Sequence, residues 1–540
     1  MLLFLLALVL YTPGIWWGLP DGVPGRDRPW GTDENGPTGC INEVYGVFLA
    51  NNPSFNPKYP LFQYLVQLAF VGPYYGALWL TGHISYPAPL FPFGLDHPAL
   101  QLKVMTVLAR LPSLLMGAAV IGIAFRTGLR LRDRMTGLIA AILVLVQYTS
   151  FYYSRTSNVD MGAQFWTALG LYVFTACLVD GSTPRRWLAF GLFGALATAT
   201  KDASYAVFLS AGAVMLFRDA GRARRAGASL GSILRAPLVA TIAAAALYVT
   251  ASGLVFRPSR FEQHLQFITT GTKGLFYQRY PATAAGYLSF LQEFWQQLVD
   301  SMGLPMLAAA IAGVGWWAAR DRRALALVIP AAALFAGVIL PVRFVLLRFV
   351  MAITYVGALA AADLFAAGWA HRLPAVKLTA RLALVVAVGW AAVHGADLTY
   401  QMLFDGRHTV APWLEKAARP GDRVGHVQPV AHLPALPGMV RGERFTSEDA
   451  ARLNAATGPE WFLSLPLEDY ERVHDLNLPD DIYARLISGG LGYRTAAVFQ
   501  TPSLFARRPA TFVNPPVRLF VREDVWRDRN LSALSGSVGR

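Results

Sequence analysis

The sequence predicts a polytopic α-helical membrane protein with a small α/β domain at its C-terminus, and three observations predict it. The chain has 540 residues, yet 54% are hydrophobic and only 15% charged, a balance that water-soluble domains do not carry. The apolar residues gather into runs long enough to cross a hydrocarbon core about 30 Å thick. The basic residues, which bring the formal charge to +14, sit in short segments between those runs, so they set topology and do not form a nucleic-acid surface. The two cysteines, Cys40 and Cys177, supply no disulfide framework, since the second lies inside an apolar run.

The apolar runs are Leu2 to Leu19, Val104 to Phe125, Met135 to Tyr152, Val159 to Val179, Pro237 to Phe256, Met302 to Ala319, Ala324 to Leu340, Phe349 to Trp369 and Leu382 to Ala396. Two shorter runs, Trp187 to Thr200 and Ala203 to Phe217, flank Lys201-Asp202. Arg185 and Arg186 before this pair and Arg218 to Arg225 after it belong on one side, so both short runs cross. Pro60 to Gly82 is interrupted by Gln63, Gln67 and Pro73; placed in the interface, it leaves every basic cluster inside. The reading is eleven crossings with a cytoplasmic N-terminus. Leu2 to Leu19 has neither a basic leader nor a small-residue cleavage site and reads as a crossing. The chain then divides into a membrane module, 1–398, with outer segments 20–103 and 257–300, and an outer domain, 399–540. The aromatics Trp16, Trp17, Tyr152, Tyr153 and Trp316 read as interfacial belts.

After Asp397 the hydropathy falls and α/β patterning begins. Helices are predicted over Val410 to Ala418, Ser447 to Ala456, Leu467 to Leu476 and Asp480 to Ile487. Strands are predicted over Arg423 to Gln428, Trp461 to Leu465, Arg494 to Gln500 and Val517 to Val521, bounded by turn signals such as Pro420-Gly421-Asp422 and Gly489-Gly490.

The residues suited to chemistry lie close to the predicted crossings. Asp33 and Glu34 follow the first run, where a carboxylate at the mouth of an apolar bundle suits a general base or a metal ligand. Lys58 stands between Pro57 and Pro60, which restrict the backbone and present the ammonium in a defined direction, as a phosphate ligand or as an interfacial anchor. Asp160 opens a helix, where the dipole favours an acid. Lys201, Arg343 and Arg348 sit at helix ends, and His264 lies in the second outer segment.

These motifs, taken in order, resemble the GT-C membrane glycosyltransferases, in particular the protein O-mannosyltransferase and lipid A aminoarabinose transferase group. The likeness runs through Asp33-Glu34, Lys58-Tyr59-Pro60-Leu61, Arg110-Leu111-Pro112-Ser113, Arg155 to Asp160, Ala199-Thr200-Lys201 and Arg343 to Arg348. It continues into Asp405-Gly406-Arg407, Trp413-Leu414 and Pro420-Gly421-Asp422. Two positions depart from the pattern: Tyr59 stands where a second proline is usual, and Asp202 where a glycine is usual after Lys201.

The resemblance implies an inverting transferase that moves a single sugar from a polyprenyl-phosphate donor to an acceptor hydroxyl or phosphate of a glycan, lipid or protein. It implies a multi-pass prokaryotic plasma-membrane protein with its site facing outside. It assigns Asp33 as base, Glu34 to the acceptor, Lys58, Lys201, Arg343 and Arg348 to the donor phosphate, and Asp160 and His264 to a second acidic or acceptor site. It leaves room for a divalent metal at Asp33, Glu34 and Asp160 and requires no other cofactor. The sequence agrees with the donor class, because it has neither a phosphate-binding Gly-rich loop nor an Asp-x-Asp motif for a nucleotide sugar. A secondary transporter would show repeated halves, and none is evident. A glycan ligase or polymerase is the other alternative, although Gly18 follows Trp16-Trp17 where oligosaccharyltransferases have aspartate.

Overall fold

The structure, a computed structural model, describes residues 1–31, 33–36, 38–48, 58–85, 88, 90–227, 229–270, 278–446, 449, 453–454, 456–465, 478–510 and 512–531. It forms two compact units, one of Met1–Ile15, Thr38–Thr81 and Val107–Ala396, the other of Trp16–Pro37, Gly82–Thr106 and Asp397–Arg540.

The first unit is helical. Its elements are α1 (Leu2–Tyr11), α2 (Gly39–Phe48), α3 (Phe62–Leu80), the greater part of α4 (Pro98–Leu131), α5 (Arg134–Leu145), α6 (Tyr148–Tyr153), α7 (Val159–Asp180), α8 (Pro184–Thr200), α9 (Tyr205–Arg225) and α10 (Leu230–Ala251). Then come α11 (Pro258–Thr269), α12 (Ala284–Met302), α13 (Leu304–Arg320), α14 (Arg322–Val342), α15 (Met351–Trp369) and most of α16 (Pro374–Leu403). Among the described residues six helices are long and apolar enough to cross a membrane, or seven if α12 and α13, which meet at 106°, count as one span. Helices α1 and α5 are apolar but shorter. The predicted run from Met135 to Tyr152 is broken at Val146-Gln147, where the Gln147 amide turns inward to donate to the Thr354 carbonyl at 3.1 Å.

Small residues set the closest approaches. In α15, Ala358 to Ala362 are fully buried, and a side chain at Gly313 would run into the Ala360 backbone, so α13 and α15 pack backbone to backbone, the mode on which membrane helices rely. The two helices share one carboxylate: Asp363 accepts from the Trp317 indole at 2.8 Å and from Arg132 Nε at 3.1 Å, while Arg132 also reaches Asp321 at 2.6 Å.

Two fully buried arginines are satisfied by carbonyls in the last turn of α1 and in the segment that follows it. Arg155 donates to Tyr11 at 2.9 Å and Leu10 at 2.8 Å, and Arg110 to Ile15 at 2.6 Å. Helix ends leave carbonyls without intrahelical partners, and these side chains take them up. The predicted aromatic belt is corrected in part: Trp16 is 59% exposed, but Trp17, Tyr152 and Tyr153 are buried. The reason is that α6 and the segment after α1 turn inward, carrying their aromatics into packing.

The second unit is built on a five-stranded mixed sheet, β1 (Arg423–His426), β2 (Arg441–Arg444), β3 (Trp461–Ser464), β4 (Tyr493–Phe499) and β5 (Val517–Arg522), in the order β2-β1-β3-β5-β4. Strands β2, β1 and β3 are parallel; β5 is antiparallel to β3 and β4. Both faces are covered, so side chains alternate between two cores. Trp461, Leu463, Leu519 and Val521 pack with Trp413 and Leu414 of α17 (Val410–Ala417), while Phe462 and Phe520 pack with Ile482 and Leu486 of α18 (Asp480–Ile487). A last helix, α19 (Glu523–Arg529), brings Arg529 to Asp422 at 2.9 Å, and the same carboxylate takes the Trp461 indole at 2.8 Å. Burial works against ionisation of Asp422, but the bonds from Arg529 and Trp461 outweigh it and hold its carboxyl below the usual range. The predicted helix Leu467 to Leu476 lies outside the described residues, as does most of Ser447 to Ala456. This unit also takes in Trp16–Pro37 and Gly82–Thr106, from the first predicted outer segment.

His432, against the Phe512 ring, is pushed down to about 4, first by burial and then by the charges of Arg407 and Arg28. A histidine depressed in the folded state contributes stability that is complete above its ordinary value of about 6.5 and lost as pH falls towards the folded value. The thermal midpoint of the whole protein should therefore drop between pH 7 and pH 5. In His432→Leu the drop should be smaller, with a residue left by His426 and His408, which burial also lowers. Scanning fluorimetry across that range checks it, and an unchanged pH slope in the variant would exclude His432 as the source.

Candidate functional site

The local sequence around Lys201 explains how the site arises. Helix α8 ends at Thr200, Lys201 is extended, and a single 3-10 turn over Asp202–Ser204 leads into α9. The break splits two adjacent opposite charges between different partners. Lys201 Nζ reaches Asp160 Oδ1 at 2.6 Å and lies 4.8 Å from the centroid of the Phe349 ring. Asp202 Oδ1 instead meets His264 Nε2 at 3.1 Å. The neutralisation of Lys201 that an adjacent Asp202 suggests is thus replaced by pairing with Asp160.

Asp160 lies in the first turn of α7, where the helix dipole favours a carboxylate. Its second oxygen, Oδ2, is buried and has no hydrogen-bond partner among the described residues. Arg348 is buried in a 3-10 turn, Leu347–Phe349, its guanidinium 5.7 Å from the same Phe349 ring. Asp160, Lys201 and Arg348 line one cavity of about 110 Å³, whose remaining wall includes Val207, Leu334, Val338 and Ile339. Phe335–Ile339 is a π-helical turn within α14, so an irregular backbone stretch forms part of this wall. The cavity therefore joins two cations and a carboxylate to an apolar surface.

The other predicted residues fall elsewhere. Lys58 lies 5.4 Å from the Tyr59 ring centroid and does not line the cavity. Arg343, in a left-handed conformation with φ +51°, donates to the Tyr280 carbonyl at 2.9 Å and to Gln278 at 3.4 Å. It too is outside the cavity lining. His264 is not a loop residue: it is fully buried in α11, one turn after Arg260. Arg260 in turn pairs with Glu43 of α2 at 3.1 Å and reaches the Tyr59 carbonyl at 3.4 Å. Burial lowers the Arg260 pKa, with Glu43 opposing.

Asp33 and Glu34 belong to the second unit. Asp33 has φ +54°, which side chains rarely adopt, and Glu34 is buried, its N–H donating to the Gly31 carbonyl at 3.2 Å and its carboxylate lying against Gly31. Among the described residues no three His, Cys, Asp or Glu side chains gather to hold a metal. Asp160, already facing an ammonium, is a poor cation ligand, so no step below runs through a metal.

From the sequence, Gln63 and Gln67 read only as interruptions of an apolar run, and Gln164 is not singled out. Gln164, one turn after Asp160, lines the cavity. Gln67 donates to the Ser157 carbonyl at 2.6 Å, and Gln63 is fully buried against Gly162. The signal was their spacing: Gln63 and Gln67 form one polar stripe on an apolar helix, and Asp160 and Gln164 another.

Residues 99–251, which carry Asp160 and Lys201, match the dolichyl-phosphate-mannose-protein mannosyltransferase family. No curated protein sequence matches the chain. Among solved structures it is similar to apo ArnT from Cupriavidus metallidurans, with TM-score 0.47, 14% identity, and coverage of 97% of this chain and 98% of that one. The same protein bound to undecaprenyl phosphate gives 0.46, 14%, 96% and 97%. The oligosaccharyltransferase AglB from Archaeoglobus fulgidus, in complex with an inhibitory peptide and a dolichol-phosphate, gives 0.44, 12%, 96% and 88%. The family match covers less than a third of the chain, the stretch from the start of α4 to the end of α10.

Replacing His264 by Ala removes the partner of Asp202 and should cost about 1–3 kcal/mol of stability. His264→Gln, which retains a donor, should recover part of it. Thermal midpoints of the purified proteins test this, and an unchanged midpoint in the Ala variant would reduce the contact to an incidental one.

Proposed function

We propose that the protein moves a single sugar from a polyprenyl-phosphate donor to an acceptor hydroxyl or phosphate on the extracytoplasmic face of the membrane, with inversion at the anomeric carbon. The observation that carries this reading is the cavity lined by Lys201, Arg348 and Asp160 on one side and aliphatic residues on the other. A lipid-linked sugar phosphate has the same two characters, an anionic phosphodiester head that gains a second charge as the sugar leaves, and an apolar chain, and cations held in an apolar setting stabilise it strongly. The topology that goes with the proposal is eleven crossings, with residues 20–103 and 399–540 outside.

In such a transfer the acceptor oxygen attacks the anomeric carbon as the bond to the phosphate oxygen breaks, through an oxocarbenium-like transition state. A hydroxyl acceptor loses its proton to Asp33, and Glu34 orients the acceptor. Lys201 and Arg348 take up the charge that develops on the departing phosphate; Lys58, outside the cavity lining, keeps the donor-phosphate role on the resemblance alone. Asp160 holds Lys201 in place before donor arrives, at the cost of screening part of its charge. Arg343, engaged by Tyr280 and Gln278, has no part in this step.

Two outcomes follow. Asp33→Asn keeps size and polarity but cannot accept a proton, so transfer to a hydroxyl acceptor should fall about 100-fold or more while donor still binds. Near-normal turnover in a variant of wild-type thermal stability would remove Asp33 as base. Arg348→Ala should lower kcat/KM for the lipid donor by about 100-fold, in line with loss of one oxyanion donor, and Lys58→Ala should act in the same direction. Transfer from a polyprenyl-phosphate sugar by purified Arg348→Ala protein measures it, and unchanged donor dependence would return Arg348 to a packing role.

A further inference from the structure

The Asp405-Gly406-Arg407 motif takes no part in the chemistry above, yet it forms the most completely buried ion pair described, with both side chains 0% exposed. Asp405 accepts from Arg407 Nε at 2.9 Å and Nη2 at 2.7 Å, from the Trp17 indole at 3.0 Å and from the Asn514 N–H at 2.7 Å. Arg407 also donates to the Phe512 carbonyl at 2.6 Å and the His432 carbonyl at 3.3 Å. Its guanidinium lies 3.6 Å from the centroid of the Trp30 ring, and Trp30 packs in turn against His408 at 5.0 Å and Trp17 at 6.2 Å. A buried pair of this kind adds little net stability over apolar packing, but it commits its partners to one geometry.

The geometry it commits is that of the segment bearing the acidic residues. Trp17 and Trp30 are both gripped, and the Trp30 N–H closes the segment on the Gly18 carbonyl at 3.0 Å. Gly18, at φ +59°, is required because any side chain there would strike the Trp30 ring. The middle of the segment is tied down separately: Arg26 donates to the Pro434 carbonyl at 2.7 Å and pairs with Asp21 at 2.8 Å. Gly31 follows Trp30 directly, and Asp33 and Glu34 come next, Asp33 in a left-handed conformation that persists only where its surroundings over-determine it.

We infer that Asp405 and Arg407 are positioning residues for Asp33 and Glu34: by holding Trp17 and Trp30 they set the direction of the acidic turn. The catalytic half of this statement rests on the proposed role of Asp33; the structural half does not.

The test uses the full-length protein. Arg407→Lys keeps the charge opposite Asp405 but removes the planar fork that reaches Phe512 and stacks on Trp30. Turnover should fall about 10- to 100-fold, as misplacement of a catalytic group does, with the donor KM within about twofold of wild type. Full turnover per folded molecule, with only yield or thermal midpoint reduced, would overturn the inference. If Arg407→Lys does not fold, Trp30→Phe, which leaves the ion pair intact, carries the same expectation at the lower end of that range. In an Asp33→Asn background Arg407→Lys should cause no further loss, and a multiplicative loss would show that it acts elsewhere. Thiol labelling of Asp33→Cys reads the turn without reference to catalysis: its rate should change several-fold on adding Arg407→Lys, and an unchanged rate would overturn the positioning role even if Asp33 is the base. A changed rate with an active Asp33→Asn enzyme would instead retire the base and keep the anchor.

Discussion

A lysine ammonium removed from bulk water needs a counter-charge within a few ångströms, and the helical unit is arranged around meeting that need at Lys201. Left in a continuous helix, Lys201 and Asp202 would point in different directions from one surface, and neither would meet a partner across the bundle. The break after Thr200 separates them: Lys201 turns to the first turn of α7 and Asp202 to α11. One interruption between α8 and α9 therefore ties two other helices, α7 and α11, to the same point. Desolvation explains why the interruption is tolerated, since a charge left unpaired away from water costs more than an unmade backbone hydrogen bond.

The same economy governs the buried arginines, with different solutions at each depth. Arg155 uses carbonyls at the end of α1, which lack helical partners and carry the negative end of the dipole, and Arg110 uses a carbonyl in the segment beyond it. Arg132, a third exposed, divides itself between Asp321 and Asp363 and so links α13 and α15. Arg407, with no exposure, has a bidentate carboxylate, two carbonyls and an indole face. At Arg407 burial is met by several partners at once, which is what a low local dielectric demands.

Much of this could be read in advance wherever it was encoded locally. The apolar runs became helices, and the strands at Arg423, Trp461, Arg494 and Val517 form where alternation places them, since period-two patterning is a property of a few neighbouring residues. Strand β2 went unrecognised because Arg441-Gly442-Glu443-Arg444 shows no alternation; it pairs as an edge strand with β1. The meeting of Asp160, Lys201 and Arg348 was not readable either. Each was identifiable as a charge at a helix end, but only tertiary packing brings residues so distant in sequence to one cavity. His264 and Trp17 misled for the same reason: a polar or amphipathic residue near a loop looks solvated until a partner from elsewhere in the chain covers it.

The bend between α12 and α13 has a further consequence. Two apolar helices joined through Gly303 at 106° cannot both run along the membrane normal. If α13 stands upright within the usual tilt of about 20°, α12 lies nearly flat, with its polar residues at the level of the lipid headgroups. Held flat in that way, α12 would serve as a waterline, marking the depth at which the molecule sits in the bilayer.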